Sequence, residues 1–301
     1  MTEIYRWIEQ QLELASNECR RLFHGRGGYF PGYESLVIDW FAPVVVIRLY
    51  DDVPPELIDS LASFFRARSG VQGVVLQQRG RGRVTAHETL FGEIPERLVC
   101  SELGLHYVIT PAQFRNTGLF LDMRHGREWV KQQAAGSKVL NLFAYTCGFS
   151  VVAIAGGASS VVNVDMSKRA LSIGRENHKL NGHDLSQVSF VGHDMFKSWG
   201  RIRRSGPFDL VVIDPPSFQP GSFVADNDYL KVLRRLPELT SPGARVLACH
   251  NDPAHDVSFI RNLVEEVCSE FKWKALLDPQ SDFPDRQPER GVKAMVFARS
   301  D

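Results

Sequence analysis

The sequence predicts an α/β fold in which a mostly parallel sheet of seven strands follows a small α+β domain. From residue 139 onward, short apolar runs alternate with segments of helical periodicity, which is typical of a parallel sheet with crossover helices. Between residues 34 and 110, β-rich runs instead surround one helical segment. We therefore expect three parts: an N-terminal helix and loop over 1–33, the small α+β domain over 34–110, and the main α/β domain over 111–301.

Composition limits the class of protein. A chain of 301 residues with 44% hydrophobic and 23% charged residues is typical of a globular protein. No apolar run approaches the roughly 20 residues of a membrane span, and the first residues lack the basic-then-apolar order of a signal peptide. The five cysteines are scattered, which indicates neither a disulfide framework nor a zinc site and predicts a cytoplasmic protein. A net charge of zero argues against strong, sequence-blind nucleic-acid binding.

The N-terminal part begins with a segment of helical spacing. Apolar residues recur every three or four positions from Ile4 to Cys19, so we predict a helix over residues 4–23 that docks on a later domain. The α+β domain then follows as strand, strand, helix, strand and one or two further strands. The predicted ranges are 35–40, 44–50, 54–68, 71–77 and 99–109.

A basic segment, Arg79-Gly80-Arg81-Gly82-Arg83, follows the fourth of these elements. We predict a flexible loop with two possible roles: a solvated turn, or a set of arginines that holds phosphates. Residues 66–131 contain ten Lys and Arg against six Asp and Glu, so positive charge is concentrated in this part of the chain.

The stretch from Val139 to Gly148 organises the main domain. Its apolar start, its small and polar middle and the apolar segment after Gly148 predict a strand, a tight turn and a helix. Such turns at the carboxyl end of a strand leave backbone N–H groups free for a ligand. The next apolar run ends at Asp165, and an acid at that position accepts hydrogen bonds from ribose hydroxyls. The pair indicates an adenosine-containing cofactor, although an ordinary βα unit without a ligand would have a similar turn.

The composition of the turn favours one cofactor over another. A dinucleotide site requires G-x-G-x-x-G so that the backbone can approach a pyrophosphate. Here the turn contains one glycine and two aromatic residues, Phe143 and Tyr145. S-adenosylmethionine (SAM) carries a sulfonium cation and no phosphate, so a looser, aromatic-lined turn suits it better.

Other segments flank this turn. Polar residues 113–124 either fold over a cofactor or form a linker, and they precede a predicted helix over 126–135. A helix is expected over 167–180 and a strand over 188–191. Asp194 follows that strand, where it can accept from an adenine amino group, cap a helix, or do both.

The fourth strand, over 208–213, ends in Asp214-Pro215-Pro216-Ser217-Phe218. Two prolines after an acid fix the backbone and leave carbonyl groups without local donors. Such a rigid edge can accept hydrogen bonds from the amino group of a base, while Phe218 stacks on its face. We favour this interpretation over a loop that is merely stiffened by proline.

The remaining elements complete the sheet. They are a helix over 228–239, a turn at 241–243, a strand over 244–249, a helix over 257–271 and closing strands over 273–277 and 292–298. The polar loop between the last two strands, 278–291, is long enough to be a functional lid or simply mobile.

Together these motifs resemble a known family. Residues 113–252 look like class I SAM-dependent methyltransferases, which have a Rossmann-like fold. The motifs from Gly118 to Arg124, Val139 to Thr146, Val164 to Lys168 and Asp214 to Phe218 are similar to those of the ribosomal RNA large-subunit methyltransferase I and K/L family. Its members modify cytosine C5 or guanine N7 of large-subunit ribosomal RNA. The small domain also resembles theirs, but the first 33 residues are too few for the PUA domain of the cytosine branch.

The resemblance implies a role for each motif. Phe143, Ala144, Tyr145 and Gly148 would surround the methionine end of SAM, Asp165 would bind the ribose, Met166 would pack on adenine and Asp194 would accept from its amino group. The full predicted set of cofactor-binding residues is Asn116, Asp122, Arg124, Asn141, Phe143, Ala144, Tyr145, Gly148, Asp165, Met166, Ser167, Asp194 and Met195. The predicted catalytic set is Asp214, Pro215, Pro216, Phe218 and Cys249, with no metal ion.

Cys249 decides between two mechanisms. Cytosine C5 is a poor nucleophile, so a cysteine thiolate must first add to C6, whereas guanine N7 is itself nucleophilic and needs only positioning. The cytosine branch has its cysteine within Ser-Cys-Ser at the end of the fifth strand. Here both serines are absent and Asn251 resembles asparagines of the guanine branch. A lone cysteine at a strand end is usually a small apolar filler, so that interpretation of Cys249 is favoured over a nucleophile.

The sequence thus predicts a cytoplasmic SAM-dependent methyltransferase that acts on RNA. Two alternatives remain open: a methyltransferase for a small molecule or a protein, which the neutral charge favours, and a non-catalytic RNA-binding paralogue. The paired acids Asp165 and Asp194 argue against the second alternative, because a pure binder has no need of them.

Overall fold

The structure is a computed structural model that describes residues 2–80, 83–112, 116–216, 218–219 and 223–300. The chain forms two compact units. The first unit contains residues 1–122 and 280–288, and the second contains residues 123–279 and 289–301.

The first unit is an α+β arrangement. Its elements are α1 (Thr2–Ala15), β1 (Arg20–His24), β2 (Leu36–Phe41), β3 (Val44–Leu49), α2 (Pro55–Arg66), β4 (Gly73–Gly80), β5 (Arg83–Gly92), β6 (Leu98–Glu102) and β7 (Leu105–Ile109). Strands β1 to β5 form one sheet in chain order, and β6 and β7 form a separate hairpin. All neighbours in the larger sheet are antiparallel except β3 and β4, which are parallel and are joined through α2.

The predicted helix over residues 4–23 is wrong in its second half. Helix α1 ends at Ala15, and Ser16 adopts a left-handed conformation with φ 51°. Residues 20–24 instead form β1, in which Arg21 lies opposite Asp39 and pairs with its carboxylate at 2.5 Å. The apolar spacing misled the prediction because Leu22 and Phe23 are buried in the sheet's core rather than on a helix face. Pairing with β2 therefore outweighed local periodicity.

The Arg-Gly segment is also more regular than expected. Arg79 lies within β4, Arg83 begins β5, and Gly80 pairs with Arg83 in an antiparallel ladder. The segment is thus the end of a β-hairpin rather than a free loop. Arg81 and Gly82 lie outside the described residues.

The two faces of this sheet differ in chemistry. On one face of the sheet, alternate residues of the strands pack with α1 and α2 in an apolar core that includes Ile38, Ile47 and Leu76. Side chains alternate between faces along a strand, so the neighbouring residues lie on the opposite face. There the buried polar residues Asp39, Arg48 and Gln77 lie on three adjacent strands.

The second unit alternates strands and helices. Its elements are α3 (Arg124–Gln133), β8 (Lys138–Leu142), α4 (Gly148–Ala155), β9 (Ser160–Val164), α5 (Lys168–Leu180), β10 (Val188–Val191), α6 (Trp199–Ser205), β11 (Phe208–Ile213), β12 (Phe218–Gln219), β13 (Phe223–Val224), α7 (Ala225–Leu233), α8 (Leu236–Leu239), β14 (Thr240–His250), α9 (Val257–Val267), β15 (Phe271–Leu276) and β16 (Lys293–Arg299). Strands β12 and β13 form a small hairpin of their own.

The seven main strands are ordered β10-β9-β8-β11-β14-β16-β15. The first five are parallel, and β16 runs antiparallel to both of its neighbours. The predicted Rossmann-like, mostly parallel sheet of seven strands is therefore confirmed. Its central strands are largely apolar because they are buried in the sheet, as the buried cluster around Leu140, Val211 and Val246 illustrates.

The largest boundary differences from the predictions in this unit concern three segments. The helix expected over 228–239 is two helices, α7 and α8, and Pro237, which lacks a backbone N–H, lies in the first turn of the second. Strand β14 begins at Thr240, so the expected turn at 241–243 is part of a strand. Helix α9 ends at Val267, and Phe271 begins β15.

Most of the long polar loop, residues 280–288, belongs to the first unit. The backbone N–H of Arg21 donates to Asp282 Oδ2 at 3.2 Å, and the Arg21 guanidinium lies 4.3 Å from the centroid of the Phe283 ring. These contacts tie the segment to β1. A lid function for the loop stays a prediction.

The strand register determines which residues share the functional edge. Leu142 at the end of β8 lies opposite Val164 of β9 and Ile213 of β11, and Ile213 lies opposite Ala248 of β14. The residues that follow these positions therefore emerge side by side at the carboxyl edge of the sheet, where ligands bind in open α/β folds.

Candidate cofactor and acceptor site

The turn between β8 and α4 has an unusual backbone. Phe143, Tyr145 and Cys147 have positive φ angles of 58°, 46° and 64°, although none of them is glycine. Each such residue costs on the order of 1 kcal/mol or more, and such conformations persist only where the surroundings enforce them. Backbone strain of this kind is concentrated at ligand-binding and catalytic sites.

Hydrogen bonds to neighbouring elements hold the turn in place. The Ala144 N–H donates to Val164 O at 3.0 Å, and the Tyr145 N–H donates to Asp165 Oδ2 at 2.8 Å. Within the turn, the Cys147 N–H donates to Ala144 O at 2.7 Å. The end of β9 therefore fixes the shape of the turn after β8.

Helix α5 supports the same turn from behind. The side chain of Asn177, which is fully buried, donates from Nδ2 to Thr146 O at 2.9 Å. Gly174 lies one helical turn earlier, and a Cβ atom there would be 2.8 Å from Cys147 Cβ and closer still to its sulfur. Only glycine permits this approach, so Asn177 and Gly174 position the turn although neither belongs to a predicted motif.

Asp165 lies at the tip of β9 as predicted. Its two carboxylate oxygens accept from the backbone N–H groups of Tyr145 and Ser167, at 2.8 and 2.7 Å. Each oxygen keeps a further lone pair, so the fixed carboxylate can still accept from two ribose hydroxyls. Burial raises the pKa of the Asp165 carboxyl, and the two backbone hydrogen bonds oppose that rise.

The residues after Asp165 fit a bound adenosine. The Met166 side chain is 52% exposed, which is unusual for a large apolar side chain beside a sheet edge, and an adenine ring would cover it. Ser167 caps α5, since its side chain accepts from the Ala170 N–H at 3.1 Å. The predicted role of Ser167 in cofactor binding is therefore limited to its place beside Asp165.

Tyr145 presents a phenol near Asp165. Burial, reinforced by the negative charge of Asp165, raises the pKa of Tyr145 to about 12. The hydroxyl therefore remains protonated at neutral pH. Ala144 is buried, whereas Phe143 and Gly148 are partly exposed at the mouth of the turn.

At the tip of β10, Asp194 caps a short helical turn. Its Oδ1 atom accepts from the Phe196 N–H at 2.9 Å, as predicted for a cap residue. The carboxylate is 30% exposed and Lys197 lies 3.8 Å away, so it can also accept from a ligand amino group. Met195 is buried in the core of the second unit, which limits any contact of its side chain with a cofactor.

Asn141, a predicted cofactor ligand, lies inside the sheet near the end of β8. It is 1% exposed, and its Nδ2 atom donates to Asn163 Oδ1 at 2.9 Å. Asn163 in turn donates to Ser150, and Ser150 bonds to His178 at 2.8 Å. The Asn141 side chain thus takes part in a buried polar network that links β8, β9, α4 and α5, while its own Oδ1 atom is buried without a hydrogen-bond partner among the described residues. A role of Asn141 in cofactor binding stays a prediction.

The polar segment before α3 belongs partly to the first unit and partly to the second. Asn116 is exposed and Asp122 is partly buried, both in the first unit, while Arg124 begins α3 in the second unit. Gln113, Phe114 and Arg115 lie outside the described residues. Cofactor binding by Asn116, Asp122 and Arg124 stays a prediction.

The predicted acceptor motif begins directly after β11. Asp214 is partly exposed, Pro215 is buried and Pro216 is partly exposed. Ser217 and the Phe218 side chain lie outside what the structure describes, although the Phe218 backbone pairs with Val224 in the β12–β13 hairpin. Phe223 of that hairpin packs edge-on against Phe143, with ring centroids 4.9 Å apart, and so joins the acceptor segment to the cofactor turn.

Tyr229 is a residue of this site that the sequence did not reveal. It lies on α7 and is fully buried. Its hydroxyl reaches Cys249 O at 3.0 Å and Ile213 O at 3.5 Å. It therefore joins the ends of β11 and β14 just where Asp214 and Cys249 lie. No local pattern distinguishes it from a core tyrosine, so only the fold shows its position.

Cys249 is 1% exposed and lies near the end of the β14–β16 pairing, opposite Ala294. Its thiol is buried and forms no disulfide. The next residue, His250, bonds through Nε2 to His255 Nδ1 at 3.1 Å, and His255 Nε2 lies 3.1 Å from Asp226. Burial lowers the pKa of His250 to about 4, so its ring is neutral at physiological pH.

Two further findings concern metal ligands and membrane-spanning helices. Within the described ranges, no group of three or more His, Cys, Asp or Glu side chains is placed to hold a metal ion. In the same part of the chain, no helix combines the length and apolar character needed to cross a membrane.

Comparison with known proteins identifies the class of protein to which this fold and the site at the carboxyl edge of the sheet belong. Residues 20–298 match the family model described as S-adenosylmethionine-dependent methyltransferase. Because the match spans most of the chain, the protein belongs to this family, and SAM is the cofactor that the family uses.

Individual relatives are more specific. Ribosomal RNA large subunit methyltransferase I from Aeromonas salmonicida is 34% identical over 267 residues, which cover 84% of this chain and 67% of the relative. The protein of the same name from Aeromonas hydrophila is 35% identical over 65% of this chain and 52% of its own length. The chain therefore spans between about half and two thirds of the length of these relatives.

A solved structure supports both the family match and the fold. SMU.776, a protein assigned as a methyltransferase and crystallised in complex with SAH, the demethylated form of SAM, superposes with a TM-score of 0.88 at 27% identity. The superposition covers 98% of this chain and 80% of that one. The fold and the family are thus supported independently.

Proposed function

We propose that the protein transfers a methyl group from SAM to a base of RNA, and that this RNA is large-subunit ribosomal RNA. The observation that carries the proposal is the register between β8 and β11. Ile213 lies opposite Leu142, so the Asp214-Pro215-Pro216 segment emerges beside the strained turn that begins at Phe143. A donor pocket and a rigid, hydrogen-bond-accepting edge are therefore neighbours. The names of the relatives supply the substrate class.

On the donor side, Asp165 would bind the ribose, Met166 would cover the adenine and Asp194 would accept from its amino group. Phe143, Tyr145 and Gly148 would surround the methionine end. The cofactor supplies an activated methyl group on a sulfonium. The residues of this chain bind and orient it, and they keep the Tyr145 hydroxyl protonated beside it.

On the acceptor side, the Asp214 carboxylate and the carbonyl groups of the two prolines would accept from the amino group of the base. Methyl transfer from a sulfonium is an in-line displacement, so alignment of the base supplies much of the rate. Tyr229 would act as a positioning residue, because it holds the strand ends from which Asp214 and Cys249 emerge.

Two target atoms remain in the proposal, cytosine C5 and guanine N7. The C5 route needs a thiolate, and Cys249 is the cysteine at this edge of the sheet, yet its side chain is 1% exposed. The N7 route needs only a positioned base. Burial of Cys249 favours the N7 route, while the name shared by the relatives admits either route. A ribosomal substrate would also agree with a cytoplasmic location.

The direct test is transfer of labelled methyl groups from SAM to large-subunit ribosomal RNA that lacks its own modifications, followed by nucleoside analysis. We expect one labelled base, identified as 5-methylcytosine or 7-methylguanine. Label in neither RNA nor nucleosides, with SAM bound to folded protein, would contradict the proposal. Label found instead in protein or small-molecule fractions of a cell extract would replace RNA with another acceptor.

A further inference from the structure

The first unit uses arginine as its only basic side chain apart from histidine. Residues 1–122 contain twelve arginines and no lysine, although fifteen acidic residues lie in the same range. Arginine has a planar guanidinium group that binds phosphate through two parallel hydrogen bonds, whereas lysine acts as a point charge. A group of these arginines in one place would therefore have the chemistry of a phosphate site.

Four of them converge at one end of the polar face of the five-stranded sheet. Arg21 lies on β1, Arg48 on β3 and Arg79 on β4, and Arg26 follows β1 in a short helical turn. Because β1 to β4 are adjacent and in register, their side chains meet around Asp39 and Tyr50.

The inner two arginines, Arg21 and Arg48, form ion pairs with a buried carboxylate. Arg21 and Arg48 both pair with the buried carboxylate of Asp39, and Arg48 Nε also donates to Gln77 Oε1 at 3.2 Å. Burial alone would raise the pKa of Asp39, but Arg21 and Arg48 hold it below its ordinary value. One carboxylate therefore balances two guanidinium groups, which leaves this layer positive.

The outer two arginines flank Tyr50. Arg26 lies 4.2 Å and Arg79 5.8 Å from the centroid of the Tyr50 ring. Burial would raise the pKa of Tyr50, yet the combined charge of Arg79, Arg48 and Arg26 lowers it. Burial lowers the pKa of Arg79, and the nearby charge of Arg48 lowers it further. The lowered pKa of Tyr50, and the part of the Arg79 shift that Arg48 causes, indicate a local excess of positive charge. We call Arg26, Arg48 and Arg79 around Tyr50 the Tyr50 arginine cluster.

The acidic residues that face these groups do not remove the excess. Asp122 and Asp282 act on Arg21, at the far side of the cluster. Within the described chain, Asp39 is the carboxylate that acts on Arg79, and it is shared with Arg21 and Arg48. Asp51 and Asp52 follow Tyr50 but are exposed, and Asp51 accepts from the Asp52 N–H at 2.9 Å. The Arg26 side chain is exposed, so an anion can reach the cluster from solvent.

We propose that the Tyr50 arginine cluster binds a backbone phosphate of the RNA substrate, with Arg26 and Arg79 as the donors and Tyr50 as the residue that positions them. Arg48 and Asp39 form the rigid base of this site. The proposal rests on RNA being the substrate, and it assigns to the first unit a share in holding that RNA.

The test compares RNA binding by the wild type, by the double variant Arg26→Gln/Arg79→Gln and by the control Arg6→Gln, using unmodified large-subunit ribosomal RNA. Arg6 lies on the exposed side of α1, so this control removes one positive charge outside the cluster and matches the single variant Arg26→Gln. Each lost phosphate contact should reduce the slope of log K against log salt concentration by roughly 0.7 to 0.9. Because both arginines hold the same phosphate, we expect the double variant to lose about one such unit of slope and at least about tenfold in affinity.

The same variants are measured in methyl transfer. The double variant should raise KM for RNA about tenfold and keep kcat and SAM affinity, and Tyr50→Phe should show a smaller rise in KM. Arg26→Gln alone, at an exposed position, covers the case in which the double variant does not fold, which thermal melting detects. Unchanged KM and salt slope in a folded variant would overturn the proposal.

The outcome also separates this proposal from the proposed function. Transfer to RNA by the wild type with no effect of the variants would overturn only the phosphate site. Binding with the expected loss of slope, but without transfer, would support the site and contradict the methyltransferase function on that RNA. Absence of RNA binding by the wild type would overturn both.

Discussion

The two halves of the sheet's functional edge are held by different means. After β8 and β9, the donor half is a strained turn fixed by backbone hydrogen bonds to Val164 and Asp165. After β11 and β14, the acceptor half is stiffened by two prolines and joined by one side-chain hydroxyl, that of Tyr229. The proposed function assigns the donor half to a cofactor of fixed shape and the acceptor half to a base. If this is right, the two halves should fail separately.

The largest effect is expected from Asp214→Ala. Loss of the acceptor carboxylate should reduce kcat by about 100- to 1,000-fold, because the base loses a partner at the reacting centre, while the Kd for SAM stays within about twofold. Single-turnover transfer and calorimetry measure the two quantities. The matched control is Asp209→Ala at the other end of β11, where Asp209 accepts from the Lys138 N–H at 2.9 Å. That variant should lose stability but keep transfer, and equal losses in both variants would remove Asp214 from the site.

Asp165→Ala should affect the donor half instead. The ribose hydroxyls would lose a charged acceptor, which is worth about 2 to 3 kcal/mol, or roughly 30- to 150-fold in the Kd for SAM. Asp165→Asn keeps one acceptor oxygen and should lose less. Calorimetric titration of SAM checks both variants. Normal SAM affinity in a folded Asp165→Ala protein would contradict the assignment of the ribose.

Gly174→Ala tests the support of the strained turn. The added methyl group would crowd Cys147, so we expect about a tenfold weaker Kd for SAM and a loss of about 1 to 3 kcal/mol in the free energy of unfolding. Gly200→Ala on α6 is the control, since its nearest neighbour, on the Arg204 side chain, lies 3.9 Å away. That helical glycine should gain up to about 1 kcal/mol on substitution. If both variants bind SAM like the wild type, α5 does not position the turn.

Tyr229→Phe should weaken the acceptor half alone. Removal of the hydroxyl leaves Cys249 O without this buried donor, at a cost of about 1 kcal/mol in unfolding free energy, and should reduce kcat by about three- to tenfold. Chemical denaturation and transfer kinetics measure these changes. A change in SAM affinity with normal kcat would show that the two halves are not separate in the way described.

The smallest effect is expected from Cys249→Ala. Because the thiol is buried, kcat should change by less than about twofold and stability by about 1 kcal/mol. Abolished transfer with intact SAM binding would instead establish a thiolate mechanism and cytosine C5 as the target atom.

The donor half could largely be predicted from the sequence because its signals are local. The apolar run before Phe143, the acid at Asp165 and the cap at Asp194 each depend on a few adjacent residues, and each lies where the pattern placed it. The role of Asn141 stays a prediction, because a polar residue near a strand end looks the same whether it faces a ligand or a buried partner such as Asn163.

The failures of prediction have a non-local cause. Residues 20–24 became a strand because Arg21 pairs with Asp39, eighteen residues away. Tyr229 reaches the acceptor edge from a helix that no motif marks. The arginines of the Tyr50 cluster come from separate elements that only the sheet register brings together. Local periodicity carries no information about such partners, so these features required the fold.

The central claim is that the tips of β8, β9 and β10 together hold the nucleoside of the methyl donor. A crystal structure with bound SAH tests it most directly. The account predicts density for the cofactor between Tyr145, Asp165 and Asp194, with Met166 against the adenine. Cofactor density at any other place, or those side chains turned into the apolar interior, would contradict it.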